Sequence, residues 1–341
     1  MLRSCIIGTG RIASSLEKDP LRPAGGTHAG AYHAHDGVQL IAGADTLPAA
    51  LEEFGADWGI ANEHLYSDYR HLLARERIDI ASICAYAPQR LEMAQAALEA
   101  GAKGLWLEKA LGCSIAEGEA IQAALQRHQA TAVVDYPRRA RAPFRKIKDL
   151  IETEVYGRLQ SVTCHMTHQL IHTGTHAFDV LRYWCGEAVS VSGKLENGYG
   201  TEDLIKDQGG RATIEFSNGT VAFVSAYRKK YYIFQFDLIF DQARILIGND
   251  IAKVYRPAAS KLYSGFKELF EEPEYHWGAT YPRDMLPELL HSMRTGEPPL
   301  YSVANAIEAL RIALAIFASD AAGGKALAPF SVDPQLRIES H

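Results

Sequence analysis

Four of the thirteen histidines, His165, His168, His172 and His176, fall within twelve positions in the stretch CHMTHQLIHTGTHAFD. Imidazole both ligates metals and moves protons near neutral pH, so the run suits a zinc site or acid–base chemistry. His172 and His176, spaced i, i+4, share one face of a helix that begins by residue 172. A zinc site would add His168 to that pair. Against it, there is no H-E-x-x-H, and strand alternation sends His165 and His168 to opposite faces. We therefore expect no bound metal, and a functional pair in His172 and His176.

A second set of residues suits a dinucleotide. Gly8-Thr9-Gly10-Arg11-Ile12-Ala13 matches G-x-G-x-x-G/A directly after the strand-like RSCIIG. Glycines there allow a tight turn and close approach of a pyrophosphate, with a helix N-terminus supplying free N–H groups. Asp45 ends VQLIAGAD, where a carboxylate accepts from ribose hydroxyls and repels a 2′-phosphate. Thr46-Leu47-Pro48 offers no arginine to hold such a phosphate, which favours NAD over NADP. Asp45 follows Gly10 by 35 residues rather than about 20. The Pro- and Gly-rich stretch EKDPLRPAGGTHAGAY reads as an insertion that accounts for the excess.

The elements that must position these groups divide the chain in two. Over residues 1–136 the strand-like runs 3–8, 38–44, 78–85, 102–108 and 131–136 alternate with helical patterns such as RLEMAQAALEAG, predicting a doubly wound parallel sheet. Over 137–341 the strand-like runs SVTCHM, SVSGKLE, GRATIEF, TVAFVSAY and YYIFQFDLIF predict an α+β domain with a large, mainly antiparallel open sheet. Asn218-Gly219 is a two-residue hairpin signal. SVANAIEALRIALAIFAS, 302–319, predicts a late helix that packs back toward the first domain.

A net charge of −6 without clustered Lys and Arg excludes a nucleic-acid partner. The five cysteines are widely spaced with no C-x-x-C, which excludes a disulfide framework and a cysteine zinc site. MLRSCIIGTG leads straight into a strand, and no run of about 18 apolar residues occurs, so a cytoplasmic protein without a membrane partner is expected.

With Glu108-Lys109 at the end of the fifth strand, the chain resembles the Gfo/Idh/MocA oxidoreductases, the glucose–fructose oxidoreductase and inositol dehydrogenase group. LYSDYRHLLARERIDIASICAYAP reads like that family's passage from third helix to fourth strand, and ALEAGAKGLWLEKAL like its run into a Glu-Lys-Pro motif. GTHAFDVLRYWCGE reads like its G-x-H-x-x-D helix. The resemblance implies a Rossmann domain, a nicotinamide cofactor, and a sugar or cyclitol substrate at the domain interface. It puts Lys109 near the nicotinamide ribose and the reacting hydroxyl, makes His176 the acid–base residue, and adds Ala85 and Glu108 to the cofactor-binding set. Three positions depart from the pattern: Ala110 for the motif's proline, His172 for an aspartate, and Arg90 for a histidine.

Oxidising a secondary alcohol requires removal of its hydroxyl proton as hydride leaves the same carbon. We assign His176 as base and Lys109 as donor to the developing alkoxide, with lysine as base left open. Asp179 reads as structural. Two other readings keep the dinucleotide: a glycosidase working by transient oxidation and elimination, and a non-catalytic sensor. Mixed aromatic strands such as YYIFQFDLIF suggest a homodimer or homotetramer formed by sheet packing.

Overall fold

The computed structural model describes every residue except 23, 197–205, 230, 250, 278–284 and 341. The chain forms two compact units, one of Met1–Pro137 with Pro282–Ile307 and the other of Arg138–Tyr281 with Glu308–Ser340.

The first unit runs β1 (Leu2–Ile7), α1 (His28–His33), β2 (Val38–Ala44), α2 (Pro48–Trp58), β3 (Leu65–Tyr66), α3 (Tyr69–Arg75), β4 (Ile80–Ile83), α4 (Ala87–Glu99), β5 (Gly104–Leu107), α5 (Ile115–Arg127) and β6 (Thr131–Val134). Its six strands are all parallel, in the order β3-β2-β1-β4-β5-β6. β4 and β5 are buried at every position, as strands covered on both faces must be. The two-residue β3 gave no periodicity to read.

The glycine loop does not pass into an ordinary helix, as its motif led us to expect. Gly10 opens a single turn, closed by Ser14 N–H to the Gly10 carbonyl at 3.0 Å, and residues 14–27 then leave on an excursion. On its return the His28 and Ala29 N–H groups donate to the carbonyls of Ile12 and Ala13, at 3.4 and 2.9 Å. The inserted segment is thus looped out between the first and second turns of one helix, whose continuation is α1. Glu17 ties the excursion shut by accepting from the Thr27 hydroxyl at 2.7 Å, and the Thr27 hydroxyl in turn caps α1 through Gly30 N–H.

The second unit runs α6 (Ala142–Glu152), β7 (Leu159–Met166), α7 (Gly174–Cys185), β8 (Ala188–Leu195), β9 (Gly210–Phe216), β10 (Val221–Ser225), β11 (Phe234–Phe240), β12 (Arg244–Gly248), β13 (Ala252–Ala259) and β14 (Lys267–Glu271). These eight strands form one sheet, β14-β13-β12-β11-β7-β10-β9-β8, antiparallel except for β7 beside β10. One face of β7, with Val162, Cys164 and Met166, is buried, while Ser161, Thr163 and His165 on the other are half-exposed. Against the buried face Trp184 of α7 stacks on Phe144 of α6 at 5.6 Å and meets Phe236 of β11 edge-on at 5.1 Å.

The expected parallel and antiparallel sheets are both present, and three details change. Strands β12 to β14 were not foreseen. The β9–β10 hairpin turns through three residues, Ser217 to Gly219, because Gly219 takes φ +85° and Phe216 pairs with Thr220. A further helix, α8 (Met285–Thr295), packs in the first unit on β5 and β6, with Ser292 and Thr131 hydroxyls 3.0 Å apart. The helix expected at 302–319 is α9 (Val303–Ala321). None of the five cysteines is in a disulfide. Among the described residues no helix is long and apolar enough to cross a membrane.

Candidate active site

Sheet register explains why residues distant in sequence gather at one edge of the first unit. Ala44, Ile7, Ile83, Leu107 and Val134 pair across β2, β1, β4, β5 and β6. The residue after each, Asp45, Gly8, Cys84, Glu108 and Asp135, therefore stands along the carboxyl edge. The order of strands reverses between β1 and β4, the place where open parallel sheets bind ligands. Every cofactor residue predicted in this unit lies in that row or within four positions of it.

Gly8 needs its missing side chain. Its φ is +88°, and a Cβ there would stand 2.9 Å from the Ala85 nitrogen and 3.0 Å from the Cys84 carbonyl carbon. Gly10 faces open space where its Cβ would be, the room that an approaching phosphate requires. Arg11 is exposed, Ile12 half-buried and Thr9 buried. Asp45 Oδ2 accepts the Thr9 N–H at 2.8 Å and Oδ1 the Leu47 N–H at 2.9 Å. The acidic residue thus shapes the glycine loop itself; Oδ2 also accepts the Thr9 hydroxyl at 3.4 Å, while Oδ1 keeps a second lone pair for a hydroxyl donor. These residues fit a dinucleotide by geometry and by donor type.

Glu108 and Lys109 follow β5. Glu108 is buried and Lys109 half-buried. Glu108 Oε2 accepts the Lys109 N–H at 3.2 Å, and the Lys109–Ala110 peptide is cis. Arg90, the third departure from the family pattern, is buried in α4 and donates to the Ala85 carbonyl at 2.5 Å. Burial disfavours its charge, and Glu108 is the strongest of the neighbours that restore it. Among the described residues one group, His28, Glu108 and Asp135, brings three potential metal-ligand atoms within 4.8 Å of one another. His28 Nε2 and Glu108 Oε1 in that group are hydrogen-bonded at 3.2 Å.

In the second unit the four histidines separate. β7 ends at Met166, leaving His165 half-exposed on the strand and His168 in the following loop, where burial and then Arg228 lower its pKa. α7 begins at Gly174, so His172 lies in the turn before the helix and only His176 is within it, a correction to the expected shared helical face. The turn already bonds helically, Thr175 N–H to the Ile171 carbonyl at 3.3 Å. Both side chains are half-buried, His176 between the buried Thr175 and Ala177 and His172 directly after the buried Ile171. A carboxylate does attend this turn, from a position that motif reading missed. Asp207, fully buried, accepts the Ile171 and His172 N–H groups at 2.8 and 2.7 Å and the Ser340 hydroxyl at 2.7 Å.

Asp179, three residues after His176, does not serve the histidine by any bond seen here. It holds Arg139 by two contacts, Oδ2 to Nε at 2.8 Å and Oδ1 to Nη2 at 2.7 Å, both side chains buried. Burial pushes its carboxyl up, and Arg139 opposes the shift. The pair anchors α7, and with it the position of His176.

Comparison with known proteins agrees with this description. An uncharacterized oxidoreductase of Bacillus subtilis, YrbE, is 27% identical over 187 residues, which span 50% of this chain and 54% of that protein. The solved structure of an aldose–aldose oxidoreductase from Caulobacter crescentus, complexed with glycerol, superposes with a TM-score of 0.76 at 17% identity, covering 96% of this chain and 99% of that one. The WlbA dehydrogenase from Bordetella pertussis, solved with NADH and UDP-GlcNAcA, gives 0.74 at 17% identity, covering 96% and 98%. Residues 2–136 match the model described as "Oxidoreductase family, NAD-binding Rossmann fold". The glycine loop, the carboxyl-edge row and the Glu108-Lys109 pair all lie within that matched stretch, so it is residues 2–136 that carry the likeness to the Gfo/Idh/MocA oxidoreductase family.

Proposed function

We propose that the protein is an NAD-dependent dehydrogenase or reductase that transfers hydride between the nicotinamide and a secondary hydroxyl or ketone of a sugar, sugar derivative or cyclitol. The observation that carries this reading is the carboxyl-edge row, in which a glycine loop, an acidic ribose partner and a lysine follow successive paired strand ends. Gly8, Thr9, Gly10, Arg11, Ile12, Asp45, Ala85, Glu108 and Lys109 would hold the cofactor, with Asp45 favouring NAD over NADP. The bound nicotinamide supplies the hydride acceptor or donor. Lys109 donates to the oxygen on which alkoxide charge develops. His176 takes the hydroxyl proton, and His172 holds a neighbouring hydroxyl. The substrate class is supported by the family likeness of residues 2–136 and by solved structures of the same fold, one of an aldose–aldose oxidoreductase and one with UDP-GlcNAcA. We assign the chain to the cytoplasm, as a homodimer or homotetramer.

Incubation with NAD and a panel of aldoses, uronates and inositols tests the reading, with NADH absorbance as readout. We expect NADH formation with at least one member. Tight NAD binding with no NADH from the panel, but with release of the aglycone from aryl glycosides, would replace it by oxidation–elimination chemistry. The cofactor assignment has a test of its own in Gly8→Ala. A side chain at φ +88° adds about 1–2 kcal/mol of backbone strain to the contact with Ala85. Calorimetry should record at least about tenfold weaker NAD binding, while Gly59→Ala, with φ +67° but open space around it, should leave binding unchanged.

A further inference from the structure

The excursion at residues 14–27 ends on a side chain that no motif singled out. His28, the first residue of α1, is fully buried, 4.0 Å from the Trp106 ring by centroids. Its Nδ1 lies 2.9 Å from the Ser82 hydroxyl, and that oxygen lies 2.8 Å from the Tyr32 hydroxyl. Its Nε2 lies 3.2 Å from Glu108 Oε1, and the other Glu108 oxygen accepts the Lys109 N–H. A carboxylate only accepts, so Nε2 carries the proton; with the imidazole neutral, Nδ1 accepts from Ser82, which accepts from Tyr32 in turn. Burial raises the Tyr32 pKa, keeping its hydroxyl a donor. Every donor in this buried chain points the same way, from Tyr32 through Ser82 and His28 to Glu108, an arrangement in which each bond polarises the next.

One Glu108 oxygen is held by His28 and the other by the Lys109 main chain. We propose that His28 is a positioning residue for Lys109, acting through Glu108, and that the tied excursion exists in register with this role. Glu17 bonds Thr27 directly before it, and the Ile12 and Ala13 carbonyls receive His28 and Ala29. The proposal rests on the reading of Lys109 given above. It says nothing of contact between His28 and substrate.

The test compares His28→Ala, His28→Asn and His28→Gln in the full chain. Glutamine can donate to Glu108 and accept from Ser82; asparagine is too short to span both and stands in for alanine should that variant not fold. In His28→Ala, hydrogen exchange of the peptide containing Lys109 should quicken by about tenfold. With whichever panel sugar the wild type oxidises, kcat should fall by about 30-fold, as a displaced reacting group requires, while KM for NAD stays within about threefold. His28→Gln should recover most of both. A folded His28→Ala or His28→Asn with unchanged exchange and unchanged kcat overturns the proposal, as does a glutamine variant as impaired as alanine. A wild type that oxidises no panel sugar counts against the functional reading alone, and the exchange comparison then decides the role of His28 by itself.

Discussion

Lys109→Ala is expected to lower kcat by about 10²–10³-fold, the usual effect of deleting one donor aimed at developing oxyanion charge. NAD affinity should move by no more than about threefold, because the pyrophosphate and ribose contacts assigned to Gly8–Ile12 and Asp45 do not involve the lysine side chain. Lys109 is only half-buried while the strand before it is buried, so removing its amine should not disturb the sheet. Lys109→Arg should rescue little, since a planar fork does not reproduce a compact ammonium. Stopped-flow NADH formation gives kcat and calorimetry gives the affinity. Loss of NAD binding at full loss of turnover would reassign Lys109 from the reacting hydroxyl to the cofactor.

Asp179→Ala should be the most destabilising single substitution in the second unit, by about 3–5 kcal/mol in urea unfolding. The reason is what it leaves behind. Arg139 is buried and paired through two nitrogens with the Asp179 carboxylate, and its guanidinium also lies 5.1 Å from the Tyr183 ring. Without the carboxylate a buried cation is left uncompensated. The double variant Asp179→Leu with Arg139→Met removes both charges together and should regain most of the loss. If the single substitution moves the unfolding midpoint by less than about 1 kcal/mol, the pair is not what holds α7.

The parts of the site legible in the sequence are those whose chemistry forces a local signature. A glycine at positive φ beside a backbone nitrogen, a carboxylate at a strand end and a Glu-Lys dipeptide after a buried run each leave a trace within a few residues. Asp207 and His28 leave none. Asp207 reaches the turn before α7 from 35 residues away through main-chain N–H groups, which carry no residue identity. His28 lay inside a stretch whose prolines and glycines read as an insertion. The histidine spacing could not place the start of α7, because i, i+4 holds equally for a helix and for the helically bonded turn that leads into it. Strands β12 to β14 escaped notice for a different reason. RILIG is short, and KVYRPAA and KELFE mix charges and proline into partly exposed positions near the sheet's edge, where burial imposes no clean alternation.

The looped-out excursion also bears on how distance along a chain is judged. Residues 12 and 28 are sixteen apart in sequence, yet they meet as residues four apart do in any helix. The wide interval between Gly10 and Asp45 therefore measures an opening in the helix and not a displacement of the carboxylate, which still holds Thr9. At such a point a polypeptide gains or sheds length without altering the frame on either side. Residue counts serve as a ruler only between points where no turn of helix has been opened.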